Sequence, residues 1–123
     1  MTTKGKGGRN ANIYILREII NGPDKQAILK NIERVVTKRK KDTDLACLLV
    51  LLVRTGNIDE NIKYKPFHEA LKSQFPDAGI GTERRPQQLY NNMIFYGGKT
   101  LTSNTLRRCE ELIEEHRKAL QIQ

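Results

Sequence analysis

The sequence predicts one mainly α-helical domain, a bundle-like arrangement of five or six helices around a buried central helix at 45–54. Three observations lead there. Leu45 to Val53 is an unbroken apolar run. Apolar residues elsewhere recur at the three- and four-residue spacing of a helix face. Gly and Pro fall at or near the ends of those stretches, where helices start and stop.

The apolar run is too short to cross a bilayer, which takes roughly 17–25 residues. A continuous apolar run alone does not separate helix from buried strand. Its composition does, because Leu, Ala and Cys dominate and Val50 and Val53 are its β-branched members. Asp42, Thr43 and Asp44 are placed to accept the free N–H groups of a first turn. Arg54 suits the negative end of the helix dipole, and Gly56 can take a left-handed C-cap. A helix apolar all round belongs in the middle of a fold.

The remaining elements follow in chain order. Residues 1–9, with Gly5, Gly7 and Gly8 among Lys4, Lys6 and Arg9, have little to bury and are expected to be a disordered basic arm before a single helical domain at 10–123. Asn10 or Asn12 can cap a first helix ending near Ile20, although Ile13 to Leu16 could also begin as a strand. Pro23 and Asp24 suit the start of a second helix running to about Lys40, with Ile28, Ile32 and Val35 on one stripe, widened by Leu29 and Val36. After a polar loop from Thr55 to Lys65, with Ile58 and Ile62 tucked beneath it, Pro66 opens a short helix carrying Phe67, Ala70, Leu71 and Phe75. Thr82 can cap the next helix, whose inner face is Leu89, Tyr90, Met93, Ile94 and Tyr96. Gly97-Gly98 reads as its C-cap. The alternative is a small hairpin at 94–101, which would make a winged helix with Lys99 on the wing. Thr102 or Ser103 caps a last helix with Leu106, Cys109, Ile113, His116 and Leu120 on its apolar stripe.

The net charge of +8 is unevenly placed. Residues 1–41 hold 11 Lys and Arg against 3 acids, whereas residues 42–123 hold 11 of each. Localised positive charge is the usual electrostatic footprint of a polyanion partner. Within it, Lys38-Arg39-Lys40-Lys41 closes the second helix. Cations there oppose the dipole, but four in a row repel one another, so dipole complementarity alone does not call for them. A second feature is the polar face of the 82–92 helix, with Glu83, Arg84, Arg85, Gln87, Gln88, Asn91 and Asn92. Arg, Gln and Asn make paired hydrogen bonds to guanine and adenine edges. A helix, a turn and a second helix of this composition fit a helix-turn-helix, although the Phe75–Thr82 connection is longer than the usual turn.

Other chemistry finds no support. Cys109 and His116 stand two helical turns apart, about 10 Å by helix rise, too far to share one metal ion. His116 on an apolar stripe reads as a hydrogen-bonded core histidine. His68 has no nucleophile partner in view. Gly5-Lys6-Gly7-Gly8 lacks the strand-loop-helix context of a phosphate-binding loop. Neither a cofactor nor a catalytic residue is assigned. Cys47 and Cys109 are expected to be buried free thiols, which together with the lack of an apolar leader leads to a cytoplasmic, non-membrane protein.

The stretch Asp44 to Ile94, with Asp-Leu-Ala-Cys-Leu-Leu-Val-Leu-Leu-Val, then Gly-Asn-Ile, Tyr-Lys-Pro-Phe-His-Glu-Ala-Leu, Phe-Pro-Asp and Leu-Tyr-Asn-Asn-Met, resembles helical domains in small proteins of bacterial conjugative elements, the RteC-type regulators among them. The likeness is one of apolar spacing over less than half of the chain. It implies an accessory or DNA-linked regulator of a mobile element and carries no site residue with it.

The expectation is therefore a small non-catalytic nucleic-acid-binding protein. Its phosphate contacts would come from Lys4, Lys6, Arg9, Lys38, Arg39, Lys40, Lys41, Arg84 and Arg85. The competing expectation is a protein–protein adaptor without a nucleic-acid role, in which the basic patch meets an acidic partner or has no role; for the last helix a homodimer is the alternative to packing on its own domain. Convergence of the cations on one face favours the first, and an exposed contiguous apolar patch favours the second.

Overall fold

Asp44 to Leu52 are buried around the whole circumference of one helix, and the other helices are arranged to make that possible. The computed structural model describes residues 15–97, 99 and 101–120. Among these the elements are α1 (Leu16–Ile19), α2 (Lys25–Lys38), α3 (Asp44–Arg54), α4 (Tyr64–Gln74), α5 (Arg84–Ile94) and α6 (Ser103–Leu120), with a 3₁₀ turn at Pro76–Ala78. The expected basic arm, with Lys4, Lys6 and Arg9, and the expected first cap at Asn10 or Asn12 lie outside the described residues.

α3 packs against α4, α5 and α6, α2 against α1 and α6, and α1 against α4. Each outer helix brings the stripe its spacing predicts. α2 buries Leu29, Ile32, Val35 and Val36, with Ile28 at the margin. α4 buries Tyr64, Phe67, Ala70 and Leu71, and α6 buries Cys109, Ile113, His116 and Leu120. At about 1.5–3 kcal/mol for each large apolar side chain taken from water, these interlocking stripes are the main stabilising term.

Both ends of α3 are closed by backbone. At its C-terminus Gly56, at φ 77°, lets its own N–H reach the Val53 carbonyl and the Asn57 N–H reach the Leu52 carbonyl, as its glycine predicts. At its N-terminus the expected side-chain caps are not made. Asp44, Leu45 and Ala46 N–H groups bond instead to the Lys41, Asp42 and Thr43 carbonyls, so the chain enters α3 through a tight turn.

That turn frees Asp42 for another task. Its Oδ1 accepts from Arg39 Nε at 2.9 Å and pairs with Nη2 at 2.8 Å, and its Oδ2 accepts from the Gly81 N–H at 2.9 Å. Arg39 also donates to the Val36 carbonyl at 2.7 Å, covering the end of α2. The Gly81 carbonyl in turn accepts from His68 Nε2, whose Nδ1 meets the Tyr64 hydroxyl. One polar chain thus ties α2, the entry to α3, α4 and the approach to α5. A Cβ at Gly81 would stand 3.0 Å from Asp42 Oδ2, so a side chain here would push the carboxylate back by a few tenths of an ångström.

Three elements differ from expectation. α1 is one turn, because Ile15 is extended and the helix starts only at Leu16; it ends at Ile19, close to the expected end, and Ile20 forms an antiparallel bridge with Ile58, where the Asn21 N–H bonds the Asn57 carbonyl. α4 begins at Tyr64 rather than Pro66, because burying the Tyr64 ring extends the helix by half a turn. Tyr96 is 58% exposed rather than core. The stretch after α5 contains a turn closed by Lys99 N–H to the Tyr96 carbonyl, with Gly97 at φ 61°, and its described residues form no strand, so the alternative hairpin is not seen among them. Thr102 does cap α6, accepting from the Thr105 N–H at 3.1 Å. No helix among the described residues is long and apolar enough to cross a membrane.

Replacing Asp42 by Ala strands the Arg39 guanidinium, whose side chain is 10% exposed, and leaves the Gly81 N–H without its partner. Urea unfolding is expected to show a loss of about 2–3 kcal/mol, with Asp42→Asn losing less because one acceptor remains. A change within about 0.5 kcal/mol for Asp42→Ala would mean that the polar chain does not hold the turn.

Candidate nucleic-acid interface

The Lys38–Lys41 run does not act as a block. Arg39 folds inward onto Asp42 and Val36, a structural role that removes it from the predicted contact set. Lys38, Lys40 and Lys41 stay exposed, and their ammonium groups make no ion pair among the described residues. The fixed turn between α2 and α3 sets where these three point.

Three adjoining depressions show their neighbours. The first, about 380 Å³, lies between the end of α2 and α6. Its cations are Arg34, Lys38, Lys40 and Arg108, its apolar wall is Val35, Leu112 and Ala119, and Glu111 and Glu115 stand on its α6 side. The second shares Asp44, Arg108 and Leu112 with the first and adds Lys41 and Cys109. The third shares Lys41 and Thr43 with the second and reaches Arg85 and Thr82. Arg34, Lys38, Lys40, Arg108, Lys41 and Arg85 therefore follow one another around the N-terminal end of α3.

The acids beside this track differ in availability. Asp42 is committed to Arg39 and Gly81. Asp44 is 6% exposed and accepts from the Lys40 N–H at 3.4 Å. Glu111 and Glu115 are exposed and edge the track on the α6 side.

Arg84 separates from Arg85. It borders a depression on the other side of the α5 start, with Lys65, Lys72, Glu69 and Glu83. Thr82 borders the depressions of both arginines.

Sequence reasoning missed Arg34 and Arg108 as neighbours of the exposed lysines, and Lys65 and Lys72 beside Arg84. Arg34 could have been found, since Lys30, Arg34 and Lys38 recur at i,i+4 and share one face of α2. Arg108 could not, because its place depends on how α6 crosses α2.

The titratable groups under the track are buried. His116 is 8% exposed, and its Nε2 donates to the Asp44 carbonyl at 3.3 Å. Burial holds its pKa below the ordinary 6.5. Cys47 and Cys109 are buried free thiols, and hydrogen bonding to Cys109 together with burial pushes the Cys47 thiol up. Among the described residues no three His, Cys, Asp or Glu side chains are grouped to hold a metal ion.

A family model matches residues 1–121. The chain belongs to that family, described as a family of unknown function, DUF6043. No curated protein and no solved structure matches the chain. Membership therefore covers the whole helical domain and assigns none of its residues a role.

His116 sets a pH dependence of stability. As pH falls through 6.5, the unfolded chain takes up a proton that the folded chain refuses, so stability falls until the lower folded value is passed. Urea unfolding at about pH 7.5 and about pH 5.5 should show a larger acid-side loss in the wild type than in His116→Gln, which keeps a donor for the Asp44 carbonyl. Identical losses in the two proteins would place the titration elsewhere.

Proposed function

We propose that the protein is a small non-catalytic nucleic-acid-binding protein that grips a phosphate backbone along the track around the start of α3. The observation that carries this reading is the run of exposed cations that make no ion pair among the described residues, Arg34, Lys38, Lys40, Lys41, Arg85 and Arg108, around adjoining depressions. Elsewhere Arg54 grips Glu110 through two nitrogens, and Arg117 pairs with Glu114. The gathering of six exposed cations around adjoining depressions supports a polyanion as the partner.

A helix-turn-helix-like arrangement is part of the proposal, with α4 as the first helix and α5 as the second. Nine residues, 75–83, join them and contain a 3₁₀ turn, so the resemblance to the short-turn motif is one of order and composition. The adaptor reading has Phe95 and Tyr96 in its favour, 47% and 58% exposed. Lys63 Nζ stands 5.3 Å from the Phe95 ring centroid, so this aromatic face is already partly occupied by a cation.

Fluorescence anisotropy of a labelled duplex tests the proposal. Between about 50 and 200 mM salt the wild type should weaken steeply, and Lys38→Gln/Lys40→Gln/Lys41→Gln should lower the log–log salt slope by about 2–3. Equal, negligible binding of DNA and RNA by both proteins at low salt would overturn it.

A further inference from the structure

The outer face of α5 has the make-up and the flanks of a groove-reading helix. Pro86, Tyr90 and Met93 turn inward and fix the helix on the core. Tyr90 is further held by its hydroxyl, which donates to the Ile62 carbonyl at 2.9 Å. Arg84, Gln88 and Asn91 stand at i, i+4 and i+7 on the opposite side. Arg84 and Gln88 are exposed, Asn91 is half-buried, and among the described residues no hydrogen bond engages the Arg84 or Gln88 side chain.

Cations lie on both sides of this stripe where α5 begins. Lys41 and Arg85 occupy one side, and Lys65 and Lys72 the other, with Thr82 bordering both groups. On the second side Glu69 and Glu83 offset part of the charge. A polar stripe between two cationic flanks matches a duplex groove, in which base edges lie between two phosphate strands.

We infer that α5 enters the major groove of double-stranded DNA, with Arg84 and Gln88 on base edges, Asn91 at the margin, Lys41 and Arg85 on one backbone and Lys65 and Lys72 on the other. This rests on the nucleic-acid reading above and adds the kind of nucleic acid and the residues that read it. The major groove of B-form DNA admits a helix, whereas that of an A-form RNA duplex is too narrow. Single strands are held mainly by stacking on aromatic rings. The exposed rings here, Phe95 and Tyr96, follow the C-terminal end of α5, away from the cation-flanked end. Arg matches the O6 and N7 acceptors of guanine, and Gln the N6 and N7 pair of adenine.

The test is selection of preferred sequences from randomised duplexes by the wild-type protein, then anisotropy on a preferred and a scrambled duplex. The wild type should favour the preferred duplex by about tenfold or more. Arg84→Ala/Gln88→Ala should bring that ratio to about 1–3 while binding the scrambled duplex within about threefold of wild type. Lys65→Gln/Lys72→Gln should weaken both duplexes alike and keep the ratio. All four side chains are exposed, and unchanged far-ultraviolet circular dichroism confirms folding. The inference is overturned if the wild type binds duplexes without preference, if Arg84→Ala/Gln88→Ala keeps the preference, or if the corresponding single strand competes equally. Those outcomes leave phosphate binding standing, whereas no binding to any nucleic acid at low salt removes both.

Discussion

The burial of α3 on every side is the constraint from which the rest of the molecule follows. A helix carrying Leu45 to Leu52 has no face to give to water, so α4, α5 and α6 must surround it. Each of those helices has one apolar stripe, and each uses it on the core. Their remaining faces are polar by necessity, and whatever the protein recognises must be met there. The ends of α3 are where the chain passes between buried and exposed. Its N-terminal end is also where α2, α5 and α6 come near one another: Asp44 and Thr43 border all three depressions of the cationic track between them.

The placement of the cations depends on Arg39 as much as on the lysines around it. Its guanidinium covers the last carbonyls of α2 and holds Asp42, and Asp42 holds the Gly81 N–H. With that residue turned inward, Lys38, Lys40 and Lys41 are left outside on a short, fixed turn. A partly buried ion pair adds little net stability, since desolvation offsets most of its attraction, but it is expensive to break from one side. It therefore acts here as a positional device. It sets the angle at which α2 gives way to α3 and the distance from that turn to the start of α5.

Much of the architecture was legible in the sequence because it depends on local spacing. The central helix, the stripes of α2, α4 and α6, the glycine that ends α3 and the threonine that caps α6 can all be recognised from neighbours within one or two turns. What was not legible depends on partners far along the chain. Ile20, at the expected end of the first helix, finds its bridge partner in Ile58. Tyr64 starts α4 before Pro66 because its ring reaches the core and its hydroxyl reaches His68. Asp42 gives up its expected capping role because Gly81 offers an N–H across the fold. The contact set shows the same division. The exposed lysines of the 38–41 run were visible in sequence, but the inward turn of Arg39, the arrival of Arg108 and the parting of Arg84 from Arg85 are set by helix packing.

The charge count along the chain also changes meaning once folded. Residues 42–123 are neutral in sum, yet their charges are not interchangeable. Glu110 is held by Arg54 and Glu114 by Arg117, each pair pulling its carboxyl below the usual range. Asp42 and Asp44 are committed to backbone and to Arg39. The cations left over in this half, Arg85 and Arg108 among them, stand beside the unpaired lysines of the first third. The formally neutral segment thus brings Arg85 and Arg108 to its neighbour's lysines, while Glu111 and Glu115 offset part of that charge on the α6 side. Like charges gathered on one face repel, and that repulsion opposes folding when no anion is bound. Such a cost is consistent with a surface built to meet a polyanion, because binding removes the repulsion and releases counterions from the partner at the same time.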